Sequence, residues 1–264
     1  MLVDAVKSPR LQSGETSGMT LVFGIPLTTI LFVWAGAFVG AFAAGGAGFA
    51  FALASSAVWL HAFEPAQVTA LVVACGSLLH VALVWPIRKS IQSKRLAPFV
   101  VGGMIGIPLG VMLLAHANTS LLKMALGVGL MAYGVYALTV RRVTPLVQGS
   151  AAANTAVGLV GGVLGGLGGY SGVVPTIWTQ LCGWSKETAR GVYQPYILFA
   201  HVTTLVLVGT VAVGTQELKL FALALPALAI GSWLGLSTYG RLDDVRFRQM
   251  LSVMLFLSGL TLLV

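Results

Sequence analysis

Residues 165–175 read Gly-Gly-Leu-Gly-Gly-Tyr-Ser-Gly-Val-Val-Pro, and they interrupt an apolar stretch that runs from 151 to 184. Glycine weakens a helix interior more than any residue except proline. A cluster this dense therefore reads as a break, not as the middle of one long helix. Without a Cβ, the backbone can approach a ligand closely. Pro175 falls where the first turn of a following half-helix tolerates it. A weaker copy, Gly45-Gly46-Ala47-Gly48-Phe49, interrupts the apolar stretch between 20 and 62.

The rest of the chain is as apolar as these stretches. Of 264 residues 57% are hydrophobic and 8% charged, and the mean hydropathy is +0.94. Soluble domains carry about 25% charged residues. Lipid must therefore be the solvent, and a spanning helix needs roughly 20 apolar residues. Apolar segments fall at 20–44, 46–62, 66–87, 96–116, 120–140, 151–168, 170–184, 189–213, 218–238 and 247–264. Together they predict an all-α polytopic membrane protein with no room for a soluble domain. The net charge of +8 reads as basic cytoplasmic loops under the positive-inside bias, not as a nucleic-acid surface. Cys75 and Cys182 offer neither a disulfide framework nor metal spacing, and no metal or cofactor is expected. The first apolar stretch outruns a signal-peptide core, so it is expected to be retained.

The two halves resemble each other. An offset of 121 positions places Gly40 on Gly161, Gly45 on Gly166, Gly48-Phe49 on Gly169-Tyr170, Phe63 on Trp184, His80 on His201 and Gly110 on Gly231. A further shift of five residues brings Met124 onto Met250. The expected organisation is a polar tail at 1–18, a first transmembrane repeat at 19–140, a cytoplasmic linker at 141–150 and a second repeat at 151–264.

Two topologies follow from the glycine runs. If each interrupted segment crosses once, the repeats are parallel, and Lys186, Arg190, Arg241, Arg246 and Arg248 lie opposite Arg88, Lys89, Lys94 and Arg95. If each turns back, every half crosses an odd number of times and the repeats are inverted. All those residues, with Arg141 and Arg142, then share the cytoplasmic side, and Lys7, Arg10, Lys123 and Lys219 lie outside. The inverted arrangement obeys the positive-inside bias better and is preferred. Inverted repeats joined at broken helices are a transporter architecture with the site near the midplane. Backbone amides freed at such a break favour an anion.

The candidate substrate-binding residues are Gly168, Gly169, Tyr170, Ser171, Gly172, Gln194, His201, Gly46, Gly48, His80 and Arg190. Tight packing through small residues accounts for the spacing of Gly158, Gly162 and Gly166. It accounts less well for a cluster that ends in Ser-Gly-Val-Val-Pro. On 189–213, Arg190, Gln194, His201 and Thr204 or Leu205 fall near one helical face. Pro195 is expected to kink that helix, with Tyr193 and Tyr196 beside the kink. The counterpart helix carries Thr69, Ser77 and His80. Ionisable groups within a span are costly and mark pathways, although a buried histidine also serves as a hydrogen-bonded structural residue. Arg190 has two readings, an anion-binding cation or an interfacial anchor beside Lys186 and Glu187. The six tryptophans, Trp34, Trp59, Trp85, Trp178, Trp184 and Trp233, read as interfacial anchors, with Trp178 a candidate for lining the site.

The Gly-rich break before Val-Pro, its copy at 45–49 and the stretch through Trp184, Ala189 and Gly191 resemble the TauE/SafE group of sulfite exporters, also called toluene sulfonate uptake permeases. The resemblance covers roughly residues 30–264. It implies movement of sulfite, sulfonates or related oxyanions. The first copy departs from the pattern, with Ala52 and Leu53 in place of Val173 and Val174 and no proline after them. The expected site therefore leans on the second half.

The expected function is secondary transport or export of a small sulfur-containing anion across a bacterial inner membrane, by alternating access. The amides of 168–172 would hold the oxygens, with Ser171, Gln194 and His201 adding directional hydrogen bonds. No ATP-binding loop is visible, so a gradient, with a proton or sodium as coupling ion, or the substrate itself supplies the energy. An anion channel or a transporter of another metabolite is the rival. A remoter one is an intramembrane serine protease, because Gly169-Tyr170-Ser171-Gly172 matches a Gly-x-Ser-Gly pattern and His201 follows; such a pair needs hydrogen-bond reach.

Overall fold

A computed structural model of the chain describes residues 21–22, 25–114, 149–212 and 214–263, with position 147 and scattered positions between 120 and 139. The expected polar tail at 1–18, most of the linker at 141–150 and the charges Lys7, Arg10, Lys123, Arg141 and Arg142 lie outside the described residues. The helices are α1 (Leu27–Ala47), α2 (Phe51–Trp59), α3 (Pro65–Ile87), α4 (Ser93–Leu114), α5 (Ala151–Gly168), α6 (Val173–Leu181), α7 (Lys186–Ala212), α8 (Thr215–Tyr239) and α9 (Asp244–Leu263). Among the described residues, six helices are long and apolar enough to cross a membrane, and the protein is a multi-pass membrane protein. A two-residue antiparallel pairing of Leu21–Val22 with Ile25–Pro26 precedes α1.

The element pattern recurs along the chain. α1 stops at Ala47 and α5 at Gly168, each followed by a left-handed glycine: Gly48 at φ 87° and Gly169 at φ 78°. Glycine adopts this conformation without a Cβ clash. The Gly48 amide donates to the Ala44 carbonyl, and the Gly169 amide to that of Gly165. Each turn sends the chain back along the helix it has just left. In the first half, α2 runs against α1: Gly40 faces Phe51 and Ser55, and Gly36 faces Trp59. The Trp59 indole donates to the Val33 carbonyl at 3.3 Å. In the second half, Gly165 faces Ser171, Gly161 faces Pro175, and the Trp178 indole donates to Asn154 Oδ1 at 2.8 Å. Both glycine runs are therefore hairpin turns. A nine-residue arm of about 14 Å cannot span a core of about 30 Å.

Packing exchanges elements between the halves. α4 lies parallel to α5 at backbone contact. A Cβ on Gly158 would fall 2.2 Å from the Phe99 carbonyl oxygen, and one on Gly166 would fall 2.4 Å from that of Ile107. α8 lies parallel to α1 in the same manner, with Gly231 against the Phe38 carbonyl and Gly235 against that of Phe42. In lipid no hydrophobic force joins helices, and small residues allow the close approach that dispersion requires. α3 and α7 cross between these two pairs.

The basic residues gather at one end. Gln92 Nε2 donates to Thr188 Oγ1 at 3.5 Å, Arg95 lies over the Trp184 ring, and the Lys186 ammonium donates to the Leu242 carbonyl. The link 88–92, the start of α7 and the α8–α9 turn with Arg241 and Arg246 are thereby neighbours. At the other end Gln67 Nε2 donates to Glu217 Oε1 at 3.4 Å.

The tryptophans divide. Trp85 and Trp233 are 68% and 67% exposed, as anchors would be. Trp59 is fully buried and is no anchor: α2 turns back and wedges it against Gly36.

Candidate functional site

The two hairpin tips meet. A Cβ on Gly172 would lie 3.0 Å from the Phe49 Cβ and 2.5 Å from Ile197 on α7. α2 and α6 therefore bring their N-termini towards each other where α3 and α7 cross. The first amides of a helix have no partner within it. At the second tip, the amides of Ser171, Gly172 and Val174 meet no backbone acceptor among the described residues.

The two histidines flank the tips. His80 and His201 stand edge to face, 5.2 Å between ring centroids. His201 Nε2 donates to the Gly169 carbonyl at 3.0 Å, which fastens the left-handed turn to α7. His80 Nδ1 donates to Gly76 of its own helix at 2.8 Å. Gly76 also makes room for His201: a Cβ there would fall 2.4 Å from His201 Nδ1. Sequence reasoning missed Gly76, because nothing in α3 alone marks which glycine faces the partner helix.

Arg190 is buried and anchors no interface. Its guanidinium crosses to the first half, donating to the carbonyls of Gly46 at 3.2 Å and Gly45 at 2.7 Å. These are C-terminal carbonyls of α1, where the helix dipole favours a cation. Its Nε donates to Gln194 Oε1 at 3.1 Å. The Tyr193 hydroxyl adds a bond to the Ala47 carbonyl at 2.7 Å. The first tip is thus laced to α7 by two residues of the other half. No carboxylate pairs with Arg190 among the described residues.

Several buried polar atoms have no hydrogen-bond partner among the described residues: Ser171 Oγ, Thr176 Oγ1, Gln194 Nε2 and Thr204 Oγ1. Buried polar groups without partners are rare and each calls for an explanation. Arginine only donates, so Gln194 turns its oxygen to Arg190 and its amide nitrogen away. The face of α7 continues through Thr204, which is buried, whereas Leu205 is half-buried. On α3, the half-buried Ser77 donates to the Val73 carbonyl at 2.6 Å.

Of the remaining candidates, Gly48 and Gly169 form the turns, and Gly168 lies under the Tyr170 ring. Tyr170 is buried in the main apolar cluster, to which α1, α2, α3, α7 and α8 contribute. Gly46 stands apart from the tip contact: its carbonyl is occupied by Arg190 and its α-carbon faces Met250. Trp178 is drawn to Asn154 near the start of α5, away from the tip. Ser171 and His201 do not form the hydrogen bond of a serine–histidine pair, because His201 Nε2 is directed to Gly169 and Ser171 Oγ has no partner.

No curated protein and no solved structure gives a significant match. The family model described as Sulfite exporter TauE/SafE matches residues 29–262, nearly the whole chain, and the protein belongs to that family.

Proposed function

We propose that the protein is a secondary transporter of a small sulfur-containing oxyanion, sulfite or a sulfonate, held at the tip of the second hairpin. The observation that carries this reading is the second tip itself. There the N-terminus of α6 and the unpartnered, buried Ser171 Oγ lie where Gly172 meets Phe49 of the first tip and Ile197 of α7. α7 also carries the unpartnered Gln194 Nε2 and the Arg190 guanidinium, which bonds Gln194 and has no carboxylate partner among the described residues. First-turn amides and a helix N-terminus favour negative charge. Ser171 and Gln194 would bind the oxygens. Arg190 acts through Gln194 and through its field, because its own bonds go to carbonyls. His201 fixes the turn.

The halves are read as inverted repeats. α2 turns back along α1, the short link 88–92 sets α4 against α3, and α4 runs parallel to α5. These relations support α5 running opposite to α1. The gathering of Arg88, Lys89, Lys94, Arg95, Lys186, Arg241 and Arg246 at one end supports the same arrangement, with that end cytoplasmic and the inner membrane of a bacterium as the location. Ser171, Gln194, His201 and Thr204 are all closed to solvent, so loading requires a rearrangement. Rocking of α1 with α8 against α4 with α5 supplies one, consistent with alternating access.

Flux of labelled sulfite, methanesulfonate, acetate and an uncharged solute into proteoliposomes tests the reading. Movement of the sulfur oxyanions is expected, with acetate slower. If only the uncharged solute moves, the anion site is wrong.

A further inference from the structure

The polar face of α7 continues outward from the tip to the basic end of the molecule. Lys186, Arg190 and Gln194 follow at steps of four, so they stack on one side of the helix. The Lys186 side chain is 18% exposed and lies 3.8 Å from Glu187 Oε1. Arg190 and Gln194 are sealed from solvent. Beside both cations lies the half-buried ring of Tyr239, the last residue of α8. Its centroid is 5.2 Å from Lys186 Nζ and 3.9 Å from Arg190 Cζ.

This stack has a physical direction. A ring face attracts a cation, so both cations hold Tyr239 in place. The two cations repel one another, more strongly as the local dielectric falls. An anion arriving between them relieves that repulsion and competes with the ring for both charges. Inward, the stack ends on the unpartnered Gln194 Nε2. The first half has nothing equivalent: the positions matching Lys186, Arg190 and Gln194 are Pro65, Thr69 and Val73. A charged route to the tips therefore exists from one end.

We infer that Tyr239 is the gate of a one-sided access route for the anion, running from Lys186 past Arg190 to Gln194. Swinging the ring out exposes the Arg190 guanidinium to an anion collected by Lys186. The inference takes its cargo from the proposed function, but its route is tested separately.

The test uses Gln194→Cys in the full chain with Cys75→Ala and Cys182→Ala, and Thr204→Cys as a second reporter deeper on α7. Each is reconstituted and its reaction with a membrane-impermeant maleimide is timed. Labelling is slow with Tyr239 present, about tenfold or more faster with Tyr239→Ala because the open population rises, and nearer the slow rate with Tyr239→Phe, which keeps the ring and loses only the hydroxyl's bond to Arg190. Methanesulfonate, inert to maleimide, slows the fast reaction. Equal rates for Tyr239 and Tyr239→Ala at both reporters overturn the gate. Faster labelling without protection by methanesulfonate, in a protein that moves no anion, keeps the route and removes the anion as its cargo. With the native cysteines, Lys186→Gln raises the KM for sulfite several-fold from the basic end, an effect that fades at high salt. An unchanged KM removes Lys186 from the route.

Discussion

His80 and His201, one from each half, meet edge to face with their ring planes at 83°. They are matched in sequence, and each lies by the left-handed glycine of its own half, but only His201 bonds that glycine's carbonyl within hydrogen-bond distance. Carbonyl oxygens only accept, so the proton sits on Nδ1 of His80 and on Nε2 of His201. His80 bonds within its own helix, and His201 bonds the Gly169 turn. His201→Ala therefore leaves that carbonyl unsatisfied, at a cost of about 1–3 kcal/mol, and loosens the second tip. Sulfite flux is expected to fall about tenfold or more, with a lower thermal midpoint. His80→Ala loosens the Gly48 turn less, because Arg190 and Tyr193 also hold the end of α1, so its flux falls less. Equal flux losses in the two variants would contradict the division of roles.

Arg190 makes a prediction that a simple charge argument would reverse. Arg190→Lys keeps the positive charge but cannot reproduce three donors aimed at Gly45, Gly46 and Gln194. A lysine ammonium is not an equivalent of a planar fork. At least one α1 carbonyl loses its partner, costing about 1–3 kcal/mol, and the Gln194 amide is freed to rotate. Arg190→Lys is expected to melt several degrees lower and to raise the KM for sulfite. Melting and KM at the parent's values would mean that charge alone matters.

The glycine runs were legible because each cluster exceeds what helix packing needs, and because the two recur at one offset. The structure ends α1 and α5 at matched positions, Ala47 and Gly168. Whether each run kinks or turns back was less legible, because it depends on which side chains the returning arm meets. Trp59 looked like an interfacial anchor for that reason: its burial comes from Gly36, more than twenty residues earlier. The destination of Arg190 was hidden in the same way, since its carbonyl partners lie 144 and 145 positions away. The local pattern showed a cation near the start of an apolar segment and could not show what it touched. The polar face of α7 was readable from spacing alone, down to the choice between Thr204 and Leu205, which only burial decides.

The glycines of the helix contacts and those of the hairpin ends should respond differently to a methyl group. A Cβ on Gly106 would fall 2.1 Å from the Leu159 carbonyl oxygen, which belongs to backbone and cannot step aside. Gly106→Ala should therefore push α4 from α5 and lose about 1–3 kcal/mol. A Cβ on Gly46 would meet the flexible Met250 side chain at 3.5 Å. There the higher helix propensity of alanine, worth about 1 kcal/mol, offsets the contact. Thermal melts in detergent check both. A Gly46→Ala loss as large as that of Gly106→Ala would mean that the contact with α8 at Gly45 extends to its neighbour.

Ser171 separates a binding role from a structural one most cleanly. Its hydroxyl is fully buried and has no partner among the described residues, so the fold itself bears the penalty of an unsatisfied polar group. Removing such a group is neutral or stabilising for the fold. If the hydroxyl bonds the anion when the site is loaded, Ser171→Ala loses a hydrogen bond to a charged partner, worth about 1.5–3 kcal/mol. The variant should melt at or above the parent's midpoint while its KM for sulfite rises about tenfold or more. Gly165 faces the Ser171 Cβ, which alanine keeps, so packing of the tip against α5 is unaltered. Opposite changes in melting and in KM assign the hydroxyl to the ligand. A lower midpoint with an unchanged KM would assign it to the fold and move the anion's oxygens elsewhere on the tip.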